Sequence, residues 1–537
     1  MTDRPNILWI SFEDTNPFYG CYGDPIAQTP NVDRFAAESC RWPQAYSTAG
    51  VCAPSRSAII TGQYAISMGA HHMRTTHETE GAGEMPTPYS AVIPPHVKCF
   101  SEYLRRAGYY CTNCQKTDYQ FESPVTAWDE LNLQAHWRNR PDPDQPFFSV
   151  FNLETSHESG MWEDKSPAPV VDPAKISLPP YFPDTPKVRE SMARMYANIA
   201  HNDKKFGELL QQLEEDGLAD NTIVFHWSDH GPLPRGKRWP YDSGIHIPMI
   251  VRWPGELEAG SICHDLVSSI DLAPTVMSLV GLDIPSHMQG QAFLGQDITT
   301  PREFIFASRD RHDCTYDRVR AVRDHRFKYI RNYYPDAPRA AWNRYLDHHP
   351  IQQEIWRLHL QEDLTPLQET LFFAESRPVN ELYDTETDPY EINNLANDPS
   401  YADALNRLQS AMDTWLDEVG DWGEIPESEM VRRWYPDGVQ PQTIAPVAVC
   451  NQVSSPGFDV LPEQISAQAP AALVLQSVTQ GASIAFRYAD DRPDRWRLYT
   501  GPIRLESGEI HIETQAIRIG YQPSEIRTFR LTVSEPA

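Results

Sequence analysis

The chain has 537 residues, 40% of them aliphatic, aromatic or cysteine, which suits one large α/β domain with appendages or two to three domains. Lysine and arginine total 46 against 74 aspartates and glutamates, a formal net charge of −28, and such a surface repels nucleic acid and anionic membranes. An anionic substrate has to be drawn in by a local basic pocket.

The N-terminus, "MTDRPNILWISFEDT", carries an apolar run over residues 7–10, too short for a signal-peptide core or a membrane span. No later stretch reaches the ~18 uninterrupted apolar residues that a span requires. The expectation is a soluble, cytoplasmic protein with no membrane partner. Nine cysteines, at 21, 40, 52, 99, 111, 114, 263, 314 and 450, are scattered and odd in number, which is no disulfide framework. "CTNC" at 111–114 has the spacing of half a zinc site, but no second pair accompanies it, so a structural role is expected.

In chain order, Asn6–Phe12 reads as a buried strand, residues 31–40 as a helix, and residues 55–64 as a helix stopped by Gly62. "SEYLRRAGYYCTN" reads as helix, glycine, strand; "PFFSVFNLE" as an apolar strand; residues 188–217 as a long amphipathic helix ending at Gly217; "NTIVFHWSDHG" as a further buried strand. Strands alternating with helices predict a large, mostly parallel sheet covered by helices on both faces. Ligands of such sheets sit at the carboxyl ends of strands, where Glu13-Asp14, His157 and Asp229-His230 all fall. After residue 300, "VRAVRDHRFKYIRNYY" predicts an antiparallel pair, and residues 381–419 predict a strand, a turn and a final helix. Residues 421–460 read as linker or extended wrap. From about 470 the texture is β only, with Ile484, Phe486 and Tyr488 alternating, as do Phe529, Leu531 and Val533. The expected domains are an α/β domain over 1–370, a smaller antiparallel C-terminal subdomain with linker over 371–440, and a small β-sandwich-like domain over 460–537.

"STAGVCAPSRSAIITGQY" packs a cysteine, a proline, a serine and an arginine at the start of a helix. Cys52 can be a small buried residue before a first turn that favours proline. It can also be a thiolate nucleophile, since a helix N-terminus and an arginine lower a thiol pKa, although four residues from Cys52 to Arg56 make a short anion loop. A third reading comes from resemblance. Cys52-Ala53-Pro54-Ser55-Arg56 followed by Thr61-Gly62 resembles the signature of type I sulfatases of the alkaline phosphatase superfamily, C-x-P-S-R then T-G.

The resemblance implies an alkaline phosphatase/sulfatase-like fold and oxidation of Cys52 to formylglycine by a formylglycine-generating enzyme. It also implies a divalent cation held by Glu13, Asp14, Asp229, His230 and the oxygen at position 52. Glu13 stands where the family more often has Asp, and His230 where many relatives have Asn. Oxygen ligands put calcium first, with magnesium or manganese as alternatives, and the histidine nitrogen tilts toward transition metals. Lys237, Tyr241, Asp242, Gly244 and Pro248 match the family segment K-x-x-x-Y-E-x-G-x-x-x-P, which gives Lys237 a sulfate contact. Lys116 falls on a second family lysine, with Asp118 where the family has histidine. His157 corresponds to a histidine near the leaving group.

By the same resemblance, a hydroxyl of the hydrated aldehyde attacks sulfur. Arg56, Lys116, Lys237 and the cation spread the charge on the sulfuryl oxygens, and His157 or Lys237 protonates the departing atom. The later segments resemble the bacterial N-sulfoglucosamine (heparan sulfamidase) branch, which makes Arg309, Asp310, His312, His71 and His72 candidates for sugar contacts, with packing as the alternative. The last segment resembles the small β domain of hexosaminidase-like and other glycan-processing enzymes. The expected partners are a small sulfated saccharide carrying a sulfate ester or sulfamate, as substrate, and a second copy of the chain in a homo-oligomer as one open reading of its assembly. A phosphonate or phosphate ester hydrolase of the same superfamily and a non-catalytic glycan-binding protein with an unoxidised Cys52 are the competing readings.

Overall fold

The computed structural model describes residues 4–77, 85–340, 343, 345–450 and 464–535. Of the expected terminal domain, 460–463 and 536–537 lie outside the described residues. The chain forms a mixed α/β fold divided into two compact units, neither of them a continuous stretch: 1–85, 116–120 and 150–424 in one, and 86–115, 121–149 and 425–537 in the other.

The first unit is organised by a large, mostly parallel sheet. Its strands run in the order Cys40–Arg41, Met249–Arg252, Thr222–Ser228, Asn6–Phe12, and then residues 150–153 of the strand Phe147–Leu153. Asn6–Phe12 and Thr222–Ser228 are fully buried, which is why both read as near-continuous apolar runs. They pair in parallel, Asn6 opposite Thr222 through Phe12 opposite Ser228. Trp9 meets Phe225 and Trp227 edge-on across one face of the sheet. On the other face Phe12, His226 and Phe206 cluster, with Phe206 supplied by the 30-residue helix Pro186–Glu215. That helix is capped by the Thr185 side chain and ends before Gly217, whose φ is +67°.

A four-stranded antiparallel sheet follows in the same unit, in chain order Ile305–Arg309, Val319–Arg323, Phe327–Asn332 and Asn380–Asp384. The helix Ala402–Val419 lays Leu408, Met412 and Trp415 on it.

In the second unit a three-stranded and a five-stranded sheet share one core, with Leu473 and Leu475 from the first and Ile512, Phe529 and Leu531 from the second. Phe529, Leu531 and Val533 all face inward along Arg527–Ser534, the period-2 pattern of a half-buried strand. The helix Phe100–Arg106 belongs to this unit, and Arg105 donates to the carbonyl of Trp496 at 2.7 Å.

Local differences from the sequence reading have simple causes. The first helix is Pro30–Ala37, because Cys40–Arg41 leaves it to pair with Met249–Arg252. The signature helix is Cys52–Thr61, beginning three residues earlier than expected and closed by Gly62 at φ +69°. Ala402–Val419 is not the final helix, and 421–460 is not linker throughout. Glu427–Trp434 is an amphipathic helix that buries Met430 and Trp434, and its Glu427 accepts from Tyr89 at 2.6 Å. Cys111 and Cys114 lie three apart on the strand Tyr110–Cys114, so they point to opposite faces and cannot share an ion. None of the nine cysteines is joined in a disulfide. Among the described residues no helix is long and apolar enough to cross a membrane.

Candidate active site

The site grows out of the register of the two central strands. Phe12 sits opposite Ser228, so the next residues of each strand, Glu13-Asp14 and Asp229-His230, emerge side by side at the sheet rim. The Asp14 backbone N–H donates to Asp229 at 3.1 Å, tying the two strand ends together. Asp14 leaves its strand in the left-handed region, at φ +49°. The signature helix brings in Cys52 as its first residue, with Val51 extended before it. Ser55 anchors that first turn by donating to the Asp229 carbonyl at 2.8 Å.

Asp14, Cys52, Asp229 and His230 each offer one ligand atom, and these four atoms all lie within 4.8 Å of one another. All four residues are buried. His230 Nε2 stands 3.2 Å from Cys52 Sγ, 3.2 Å from Asp14 Oδ1 and 3.7 Å from Asp229 Oδ2. Its Nδ1 lies 2.9 Å from the Gly231 carbonyl, which can only accept, so Nδ1 carries the proton. The neutral ring therefore turns the lone pair of Nε2 toward the aspartates. Burial lowers the His230 pKa although Asp229 and Asp14 pull it up, which keeps the ring in this neutral form. A lone pair facing two carboxylates is the donor set of a cation site. Glu13 is the one expected ligand outside this group; its carboxylate is engaged by Lys116 and lies 3.6 Å from Arg56.

Cations brace the carboxylates. Arg56 donates to Asp229 at 2.9 Å and to Asn152 at 3.0 Å, which itself accepts from Ser11. Lys116 Nζ lies 3.9 Å from Cys52 Sγ and 3.3 Å from Asp118, which is half-exposed. Lys237 meets Asp14 at 2.5 Å and Glu158 at 3.1 Å, and Arg238 meets Glu158 at 2.6 Å. Burial raises Glu13 to about 7 even with Lys116 and Arg56 beside it. Burial pushes Asp14 up as well, but Lys237, His157 and His230 outweigh it and hold it below its ordinary value. Burial raises the Cys52 thiol far beyond the usual range, more than Lys116 and Lys237 can offset, so an unmodified Cys52 is no thiolate.

His157 stands beside this cluster, its Nδ1 2.9 Å from Ser159 Oγ, and burial with Lys237 nearby lowers it to about 4. Of the residues considered for sugar contacts, Asp310 is taken up by Arg320 through two bonds of 3.0 Å. His71 and His72 are buried, with ring centroids 4.1 Å apart. Arg309 and His312 line a cavity. Three site residues escaped the sequence reading: Asn152, Glu158 and Arg238. The signals were there, Asn152 at a strand end, Glu158 beside His157 and Arg238 beside Lys237, but none belongs to a recognisable motif.

The chain matches the sulfatase family model over residues 5–140 and 112–282, and the model of the C-terminal part of N-sulphoglucosamine sulphohydrolase over 230–372. An "Ulvan-active sulfatase" of Formosa agariphila is 40% identical, over 98% of this chain and 91% of the relative. The N-sulphoglucosamine sulphohydrolase of Homo sapiens is 25% identical, over 81% of this chain and 94% of the relative. Two solved structures share the fold. BT4656 in complex with its substrate D-glucosamine-2-N,6-O-disulfate has a TM-score of 0.54 at 19% identity and covers 79% of this chain and 100% of that one. The phosphonate monoester hydrolase SpPMH from Silicibacter pomeroyi has 0.56 at 19% and covers 79% and 97%.

Proposed function

The chain belongs to the sulfatase family and is a sulfuric ester hydrolase, and from that premise we propose that it works through a formylglycine made from Cys52 and a divalent cation at the sheet rim. The observation that carries this reading is the convergence of Asp14, Asp229 and His230 on the side chain of Cys52. A thiol raised this far by burial is a poor nucleophile, which favours a different chemical group at position 52.

The donor set fits a dication: two aspartate oxygens, the Nε2 lone pair and the position-52 side chain. The oxygens favour calcium or magnesium, and the nitrogen admits manganese. When present, the aldehyde hydrate supplies an oxygen nucleophile and the cation acidifies it while neutralising sulfuryl oxygens.

The chain's own residues do the rest. Arg56, pinned between Asp229 and Asn152, presents its guanidinium to the reacting side chain without reorganisation. Lys116 and Lys237 approach from two sides, each held by a carboxylate, and give fixed positive charge where the sulfuryl oxygens gather negative charge. Burial and the two nearby lysines keep His157 neutral at pH 7 in the free site; an anionic substrate raises its pKa, and the protonated ring then donates to the departing oxygen or nitrogen. The expected substrate is a small sulfated saccharide, and the 40% identical relative makes ulvan fragments the first panel to try.

The test pairs two measurements. The peptide containing Cys52 should show the mass deficit of CH2SH replaced by CHO, and the same preparation should release sulfate from O- or N-sulfated saccharides faster than it cleaves phosphonate monoesters. A preparation carrying the aldehyde that releases no sulfate would sink the reading.

A further inference from the structure

A second cationic cavity lies beside the site, and its donors are only partly used. Arg235, Arg238, Trp239, Arg309, His312 and Arg339 line it. It adjoins Cys52 through Met73, which packs on Val51, Cys52 and Ala53 and pairs with His312 in a β-bridge. Arg238 closes the same gap from the other side, its backbone N–H donating to Gly50 at 2.6 Å.

The four guanidiniums of this cavity find little negative charge. Arg309 reaches Asp317 at 3.1 Å, but both oxygens of Asp317 are already taken by Arg377 at 2.8 and 2.9 Å. Arg238 shares Glu158 with Lys237. Arg339 reaches Glu381 at 3.3 Å. Arg235 donates to the carbonyls of Tyr390 and Glu391 and lies over the Tyr241 ring.

Two side chains present donors that nothing in the protein accepts. Arg309 is 8% exposed, stacks with its guanidinium carbon 3.5 Å from the Trp239 ring centroid, and its Nη1 has no hydrogen-bond partner. His312, 5% exposed, has no hydrogen-bond partner at either ring nitrogen, and its Nε2 lies 3.8 Å from the Asp313 carboxylate, which is shared with Arg74 and Asn343. A buried N–H without an acceptor is costly, and an arginine fork held flat against a tryptophan is preorganised for a planar or tetrahedral oxyanion. Burial, with Arg377 and Arg238 alongside, lowers Arg309 to about 10 in spite of Asp317, as expected where positive charge is in excess.

We propose that this cavity is a subsite for a second anionic group of the saccharide, a carboxylate or a further sulfate, held beside the sulfate that is removed. The inference rests on the saccharide reading above and narrows it to substrates bearing two acidic groups. It also explains how a chain of net charge −28 can recruit a dianion: the attraction is local to the cavity.

The test is equilibrium binding to the full chain of three matched disaccharides without the scissile sulfate: one with a uronate carboxylate, its carboxyl-reduced twin, and the reduced twin bearing one sulfate in place of the carboxylate. The unmodified protein is expected to bind at least one charged ligand about tenfold or more tightly than the neutral twin, since a charge-assisted bidentate contact is worth that factor. Whichever charged ligand leads names the group. Arg309→Gln and His312→Gln should each shrink the ratio toward one. The His312 ring makes no hydrogen bond that its loss would break, so this second variant stands even where Arg309→Gln fails to fold. Equal binding of all three ligands, or an unchanged ratio in both folded variants, would overturn the subsite. Sulfate release measured alongside separates the two ideas: release without anion preference overturns the subsite alone, and preference without release overturns the formylglycine reading alone.

Discussion

The backbone N–H of Glu158 and Oδ2 of Asp14 meet at 2.7 Å, while the side chain of the same Glu158 grips the Lys237 ammonium that rests on that same oxygen. Main chain and side chain of one residue thus fix both a strand-end carboxylate and the lysine facing it. Burial alone would raise Glu158, but Arg238 and Lys237 overwhelm it and keep the carboxylate ionised.

Glu158→Gln leaves two buried cations facing a neutral amide. Breaking a buried pair on one side costs about 3–5 kcal/mol, so the denaturation midpoint should fall clearly. Turnover should fall with it, because Lys237 loses one of its two anchors. A variant with wild-type stability and turnover would show that Glu158 positions nothing.

Chelation should lower the melting temperature, and returning the cation should restore it. A cation present at a hundred times its Kd contributes about 2.7 kcal/mol by mass action. His230→Leu removes the Nε2 lone pair and should weaken cation affinity by at least about tenfold, measured by titration of the metal-free chain. Melting curves that ignore the chelator would refute a bound cation.

Gly244 marks a close approach of backbones. A Cβ there would lie 2.0 Å from the Gly236 carbonyl oxygen and 2.4 Å from that of Trp239. These residues flank Lys237, so Gly244→Ala must shift the loop that carries it. A displacement of this order costs about 100-fold in rate. At Gly217, where nothing lies within 4 Å, alanine meets only the φ of +67° and should leave turnover intact. Steady-state kinetics of the pair would decide, and equal rates would refute the argument.

Stability should fall as pH falls through one histidine buried within the central sheet. His226 is fully buried with Nδ1 2.9 Å from the Ile10 carbonyl, and burial lowers it to about 4 from 6.5. Between those values the unfolded chain binds a proton that the folded chain refuses, so its contribution is complete above 6.5 and is lost as pH falls toward 4. His226→Asn should flatten the slope of melting temperature against pH between 6.5 and 4. An unchanged slope would assign the acid sensitivity elsewhere.

Much of this was legible in the sequence, for physical reasons. Asn6–Phe12 and Thr222–Ser228 announce themselves because strands buried on both faces need unbroken apolar runs, and the charges that end them must be at the rim. The signature helix was visible, though its start was not, because extended Val51 and buried Ala53 give no capping signal. Glu427–Trp434 hid because an eight-residue helix anchored by Met430 and Trp434 is too short for its period to stand out among polar neighbours. The arginine cavity as a whole could not be read, although Arg309 and His312 of its lining stood among the candidates for sugar contacts. Its residues come from 234–241, 309–315 and 339–372, and only the fold makes them neighbours. Asp310 looked available beside Arg309, yet Arg320, ten positions on, claims both of its oxygens.

The rung that sets Phe12 against Ser228 acts as a ruler for everything beyond it. Because the carboxylates and His230 are hung one and two positions past that rung, their spacing is inherited from the sheet and owes nothing to the length of the connecting loops. Insertions between the strands leave the gauge untouched. A single residue added within either strand would swap inward for outward at every step and carry one half of the constellation away from the other.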